Sequence, residues 1–168
     1  VGRKFAELTN CPKCDQPLKL AYPEDDTVKY ITKELSMPES AFITFEEESG
    51  NVFAAGWGYA YTLEELQGKY NTPEMKEMVV DRIRRTAGKV ERVFYLSEVM
   101  VDAAVRNRGI ATKITSYFLD KSQSLNLNLV MRTRGDSPMV QIANKGGMTQ
   151  IISAGEEKDN LRVLFIKM

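Results

Sequence analysis

The sequence predicts an α/β fold, a mixed central sheet with flanking helices, on three observations. Two runs rich in Phe, Val, Trp and Tyr follow one another early in the chain; after Gly88 strand-like and helix-like periodicities alternate; and the last segments read as an antiparallel pair. The chain has 168 residues, 43 % of them apolar and 27 % charged. That is enough to hide roughly 70 % of the unfolded surface in a single domain spanning 1–168, without internal repeat or low-complexity stretch.

Residues 25 to 36, DDTVKYITKELS, start on acidic residues and place Val28, Ile31, Thr32 and Leu35 on one helical face. SAFITFEE and NVFAAGWGYAY, separated by Ser49-Gly50, read as a hairpin. Thr62 with Glu65 three residues later forms a capping box, and Thr72-Pro73-Glu74 supplies an N-cap, a first-turn proline and an acid at the positive end of a second helix. That helix repeats Met75, Met78, Val79 and Ile83 and ends in Arg82, Arg84 and Arg85 before Gly88. VERVFYLSEVMV is a strand ending near Val101. Residues 110 to 125 form a helix that turns Ile110, Ile114, Tyr117, Phe118 and Leu125 to the sheet. LNLVMRT is the next strand, SPMVQIANKGG a short helix stopped by glycines, and MTQIISA with NLRVLFIKM the closing pair.

Composition removes several functions. Lys plus Arg and Asp plus Glu both number 23, so the chain lacks the charge footprint of a nucleic-acid or anionic-membrane binder. No apolar run approaches the ~20 residues of a spanning helix, and Val-Gly-Arg-Lys lacks the apolar core of a secretion signal, which predicts a cytoplasmic protein. There is no histidine, which excludes Ser-His-Asp and Cys-His nucleophile systems and His-ligated catalytic zinc. Chemistry is left to carboxylates, Tyr, Lys, Ser or Thr, Cys and backbone amides.

The informative segment is Val101-Asp102-Ala103-Ala104-Val105-Arg106-Asn107-Arg108-Gly109-Ile110-Ala111-Thr112, in which a strand ends, a polar turn follows and a helix opens at Gly109. A helix N-terminus offers unpaired N–H groups and about half a positive charge, and small residues let phosphate oxygens approach them. Arg106 and Arg108 add charge beside the same turn. A glycine cap flanked by surface arginines is the plain structural alternative. Arg106-x-x-Gly109-x-Ala111 resembles the Gln/Arg-x-x-Gly-x-Gly/Ala signature of the GNAT superfamily of N-acetyltransferases. The preceding strand, the following amphipathic helix, LNLVMRT and Lys145-Gly146-Gly147-Met148 fall in the family's order. The resemblance covers residues 91 to 168 well and the first half by topology.

The resemblance implies acetyl-CoA as co-substrate, its pyrophosphate on the amides of Asn107, Arg108, Gly109, Ile110, Ala111 and Thr112. It implies pantetheine along strand 97 to 101, with an N–H near Met100 or Val101 polarising the thioester carbonyl. The acceptor is then an amine of a small molecule or peptide, and its proton must be removed. Glu98 is the candidate base. Several branches carry the glutamate about three residues earlier, where this chain has Tyr95. A solvated or ion-paired strand carboxylate is the alternative reading of Glu98. The family's usual tyrosine acid falls on Ala143, so that acid is missing; Ser137 and Asn144 lie in the same helix and could orient a water, or serve as N-cap and surface residues. The missing acid keeps a second class open, a non-catalytic CoA-binding or protein-interaction module on the same fold.

Cys11-Pro12-Lys13-Cys14, within an N-terminal segment 1–24, has the spacing of half a zinc site, but structural zinc takes four ligands. The expectation is no metal in a lone subunit, or a homodimer with one zinc shared by two knuckles. Residues 62 to 90 form a helical insertion that could roof the acceptor site, make a dimer face or cover a sheet edge.

Overall fold

The computed structural model describes residues 23–153 and 162–168. The elements follow the order read above. Helix α1 spans Glu24–Leu35, β1 Ala41–Glu46, β2 Val52–Thr62, α2 Leu63–Gln67, α3 Pro73–Ala87 and β3 Arg92–Val101; α4 is Ile110–Ser124, β4 Asn128–Arg134, α5 Met139–Lys145, β5 Thr149–Ile152 and β6 Arg162–Lys167. A short 3-10 turn, Ala103–Val105, links β3 to α4. The strands form one sheet in the order β1-β2-β3-β4-β6-β5. Only β3 and β4 run parallel; every other neighbouring pair is antiparallel, as the hairpin and the closing pair require. Cys11 and Cys14 lie outside the described residues.

The local signals act as the sequence suggests. Thr62 and Glu65 exchange the two bonds of a capping box at α2, and Thr72 accepts from the Met75 amide at α3, where Pro73 occupies the first turn. The glycine after α3 has φ 76° and ψ −150°, a conformation open to glycine that stops the helix.

Two apolar layers cover the sheet. On one face Trp57, Tyr59, Val93, Tyr95, Val130, Leu164 and Ile166 meet Leu66, Met75, Val79 and Ile83 of the insertion. On the other Phe94, Leu96, Leu129, Met131 and Phe165 meet Ile114 and Phe118 of α4 and Ala143 of α5. Strand alternation sends odd and even residues of β3 and β4 into different layers. The insertion therefore covers a face of the sheet rather than its edge.

Two expectations fail in detail. Tyr117 does not face the sheet but is 37 % exposed, because the inward arc of α4 runs through Ile114, Thr115, Phe118 and Ser122. Helix α1 turns Thr27, Ile31, Glu34 and Leu35 inward; Val28 is 56 % exposed and Thr32 is also exposed. The buried arc departs from the apolar one because the group that anchors this helix is a carboxylate, Glu34, which hydropathy ranks as surface.

Two irregularities shape the middle of the sheet. Trp57 pairs with Glu98 and the next residue, Gly58, with Leu96, so Ser97 is the extra residue of a bulge. A Cβ on Gly58 would stand 2.7 Å from the Tyr95 carbonyl oxygen and 2.7 Å from Phe94 Cε1. Gly58→Ala must move the β3 backbone at the bulge, and we expect it to lose about 1–3 kcal/mol of stability, read as a lower urea midpoint. An unchanged midpoint would show that the bulge gives way freely.

Candidate functional site

The parallel pairing of β3 with β4 ends at Leu96 and Met131. Beyond it Glu98–Val101 keeps β2 as its partner while β4 pairs with β6, so the strands splay and leave a wedge. Two cavities meet there. One of about 350 Å³ is lined by Tyr30, Lys69, Tyr95, Ser97, Glu98, Arg132, Thr133, Arg134 and Arg162. The other, about 220 Å³, shares Ser97, Glu98, Arg132 and Thr133 with it and reaches Ser137 and Met139 on the α5 side. The wedge thus joins the two faces of the sheet.

The bulge decides which side chains look into it. In a regular strand Ser97 and Glu98 would point to opposite faces. The extra residue lets Ser97 bond Glu34 while Glu98 stays in register with Trp57, so both serve the α1 face.

Beneath this floor lies the feature that the sequence reading missed. Glu34 is 4 % exposed, and its carboxylate is the centre of four donors. Trp57 Nε1 donates to Oε2 at 2.7 Å, Tyr59 OH to Oε1 at 2.6 Å, Ser97 Oγ to Oε2 at 2.5 Å, and Lys69 Nζ lies 3.1 Å from Oε1. Burial opposes the charge, but the bonds from Ser97, Tyr59 and Trp57 and the Lys69 cation outweigh it and hold the carboxyl below its ordinary value. The sequence signal that could have found it is a lone carboxylate flanked by Ile31 and Leu35 on the inward arc of α1.

Glu98 behaves oppositely. It opens into the cleft, and burial of its carboxyl, with the nearby Glu34 charge, pushes its pKa up against the pull of Arg162 and Lys69. Tyr95 lines the same cavity but is only 6 % exposed, and burial holds its phenol protonated well above the usual range. Tyr30, whose hydroxyl lies 3.5 Å from Ser97 Oγ, is pushed up to about 12, chiefly by burial. Lys69 sits over the Tyr59, Tyr61 and Tyr95 rings at 5.3–5.8 Å, so the insertion contributes a cation to the cavity wall.

The turn after β3 lies at the end of the same strand. Asp102 accepts from the Ala104 amide at 2.7 Å, and Arg106 Nε donates to the Val101 carbonyl at 3.2 Å, which holds its guanidinium against the strand end. Asn107 and Gly109 both take positive φ, 63° and 75°. Gly109 is the N-cap of α4, no side chain caps that end, and a Cβ there would meet nothing within 4 Å. The amides of Ile110, Ala111 and Thr112 therefore open a helix N-terminus onto free space, which suits an anion such as a phosphate. Met100 is exposed beside the wedge and Val101 half-buried.

The remaining candidates separate. Ser137 lines the smaller cavity while its hydroxyl accepts from the Met139 amide, whereas Asn144 sits on the outer surface of α5. Ala143 is fully buried in the α4 layer, so this position carries no proton donor. Among the described residues no group of three or more His, Cys, Asp or Glu could hold a metal, and no helix is long and apolar enough to cross a membrane.

No protein-family model matches the chain, and no curated protein is similar to it in sequence. Its fold has many solved counterparts. A Drosophila melanogaster polyamine N-acetyltransferase superposes with a TM-score of 0.58 at 11 % identity, over 89 % of this chain and 84 % of that one. Arabidopsis thaliana NAA60 in complex with acetyl-CoA gives 0.59 at 11 %, over 83 % and 81 %. An arylalkylamine N-acetyltransferase 2 from Aedes aegypti gives 0.58 at 12 %, over 90 % and 82 %. With its mixed six-stranded sheet, its splayed parallel pair and the glycine-opened helix that follows β3, the chain has the fold of the GNAT N-acetyltransferases.

Proposed function

We propose that the chain is an acetyl-CoA-dependent N-acetyltransferase in which Glu98 is the general base. The observation that carries this reading is the wedge between β3 and β4, which holds a carboxylate of raised pKa and whose β3 side runs on through Val101 into the turn that opens a helix N-terminus. The amides of Asn107 to Thr112, with Arg106 and Arg108, would hold the pyrophosphate. Backbone beyond Leu96 has lost β4 as a ladder partner, so this edge can pair with pantetheine and present an N–H near Met100 or Val101 to the thioester oxygen. Acetyl-CoA supplies an activated acyl group. The amine nitrogen forms the new C–N bond, the C–S bond breaks, and the nitrogen's proton passes to Glu98.

Glu98 suits that task better than Glu34. A base near neutral pH needs a raised pKa and a free lone pair, whereas the oxygens of Glu34 are already engaged by four donors. Tyr95 can act as a hydrogen-bond donor but, held protonated, not as the base. The departing thiol has an ordinary pKa near 8.5 and can leave without the tyrosine that Ala143 replaces.

The fully apolar setting of Ala143 favours one second reading, a module that binds CoA without transfer. The two part on whether free thiol appears when acetyl-CoA is mixed with a panel of amines. Transfer that depends on Glu98 supports the enzyme; saturable binding without thiol release under every acceptor supports the module.

The turn has its own test. Gly109→Glu would set a carboxylate against the pyrophosphate, and we expect CoA affinity by calorimetry to fall at least about a hundredfold. Gly109→Asn, which tolerates the positive φ at small cost, should lose far less. Unchanged affinity in a folded Gly109→Glu protein would remove the turn from the binding site.

A further inference from the structure

Ser97 is a residue of β3 whose place the sheet does not fix. The β2 register passes from Leu96 to Glu98, and the parallel register with β4 ends at Leu96, so Ser97 pairs in register with neither neighbour. A bulged residue outside the ladder depends on other contacts for its position. Its side chain supplies one, since Ser97 Oγ donates to Oε2 of Glu34.

The same oxygen accepts from Trp57 Nε1 at 2.7 Å. Trp57 is the cross-strand partner of Glu98, and Ser97 precedes Glu98 in the chain. One carboxylate oxygen therefore ties together the two residues that flank Glu98, one across the sheet and one along the strand. The carboxylate is itself held. Its other oxygen takes Tyr59 OH at 2.6 Å and Lys69 Nζ at 3.1 Å, and its helix is seated by Ile31 and Leu35 against the core. Without the tie a second register is open to the strand, in which Ser97 stands opposite Trp57. Side-chain alternation would then turn Glu98 to the other face of the sheet.

We propose, resting on the transferase reading above, that Glu34 is a positioning residue of the reaction, which through its bond to Ser97 holds the β3 bulge in the register that aims Glu98 into the wedge. Glu34 takes no proton and touches no substrate. Its task is to keep the base within hydrogen-bond reach of the amine, where a displacement of about 1 Å can cost about a hundredfold in rate.

The test follows thiol release by the whole chain with acetyl-CoA and the best acceptor of an amine panel, at active concentrations set by calorimetric titration of CoA sites. Ser97→Ala removes the tie while Glu34 keeps Trp57, Tyr59 and Lys69. It should lower kcat about ten- to hundredfold, with the KM of the amine and the affinity for CoA within about twofold of the parent. Ser97→Thr restores the hydroxyl on a residue suited to a strand and should recover most of the loss. Glu34→Asp keeps the charge but shortens the reach by one methylene; it should lower kcat as well, and combined with Ser97→Ala it should cost no more than the larger single loss. In a Glu98→Gln background Ser97→Ala should cost less than about twofold, because the base it served is gone. A purely structural role would cost the same in both backgrounds. Unchanged kcat in Ser97→Ala, a loss confined to KM, no recovery in Ser97→Thr, additive losses with Glu34→Asp, or an equal loss in the Glu98→Gln background each overturns the positioning role and leaves the transferase standing. Failure of the parent to release thiol with any amine overturns the transferase reading, and the positioning role with it.

Discussion

Glu34→Ala is expected to lose about 3–5 kcal/mol of stability, the largest effect of any single substitution considered. Removing this carboxylate strands the Lys69 cation and the donors of Trp57, Tyr59 and Ser97 around a small cavity. Trp57 and Tyr59 are almost wholly buried, so their N–H and O–H groups cannot turn to water. Glu34→Gln keeps the volume but turns amide hydrogens toward at least one group that is itself a donor, so it should recover only part of the loss. The pH dependence has a definite sign. The folded pKa of Glu34 lies below its unfolded value, so its stabilisation is present above the ordinary carboxylate pKa and is lost as pH falls through the lowered folded value. The gap between wild type and Glu34→Ala, measured by urea unfolding, should therefore narrow in acid. An Ala variant as stable as the parent at neutral pH would mean that the cluster is not an anchor. The same contacts tie α1 to β2, to the insertion and to the bulge, so the loss should also loosen the cavity in which Glu98 works.

Glu98→Gln is expected to lower turnover by about 10²- to 10⁴-fold with little change in CoA affinity. The acceptor nitrogen of an alkyl amine has a pKa near 10.4 and needs its proton removed at neutral pH. In the parent, activity should rise with pH through the raised pKa of Glu98 and rise again as the amine loses its own proton. In Glu98→Gln the first limb should vanish and the second remain. Because no tyrosine stands at Ala143, no descending limb from such a group should appear below about pH 9. Stability should move the other way. Burial disfavours the charged form of Glu98, so the neutral amide relieves a cost that builds as pH rises above the ordinary carboxylate value and is complete above the raised folded pKa; Glu98→Gln should melt higher at neutral pH and equal the parent in acid. Full activity in a Glu98→Gln, Tyr95→Phe double variant would leave this strand without a chemical role.

Elements whose causes are local were legible in the chain itself. The capping box of Thr62 and Glu65, the Pro73 start, the glycine stop at Gly88 and the Ser49-Gly50 hairpin each rest on residues within a few positions of one another, and the structure keeps all of them. The opening at Gly109 is of the same kind, because a strand, a turn and a helix start suffice to expose the amides. For the same reason Ala143 could be seen to lack a proton donor before its surroundings were known.

What the sequence determined by itself was the order of strands and helices, the glycine-opened helix start at Gly109, and the exclusion of histidine chemistry. These follow from composition and short-range backbone preference. Only the tertiary structure decided that Ser97 is the bulged residue, that Glu34 is buried among Trp57, Tyr59, Lys69 and Ser97, and that Arg134 faces Arg162. The partners of Glu34 lie 23 to 63 positions away in the chain, and Arg162 reaches Arg134 only through strand register. Charges far apart in the chain meet in this way because electrostatics depends on distances in space, whereas a sequence orders its charges along the chain only.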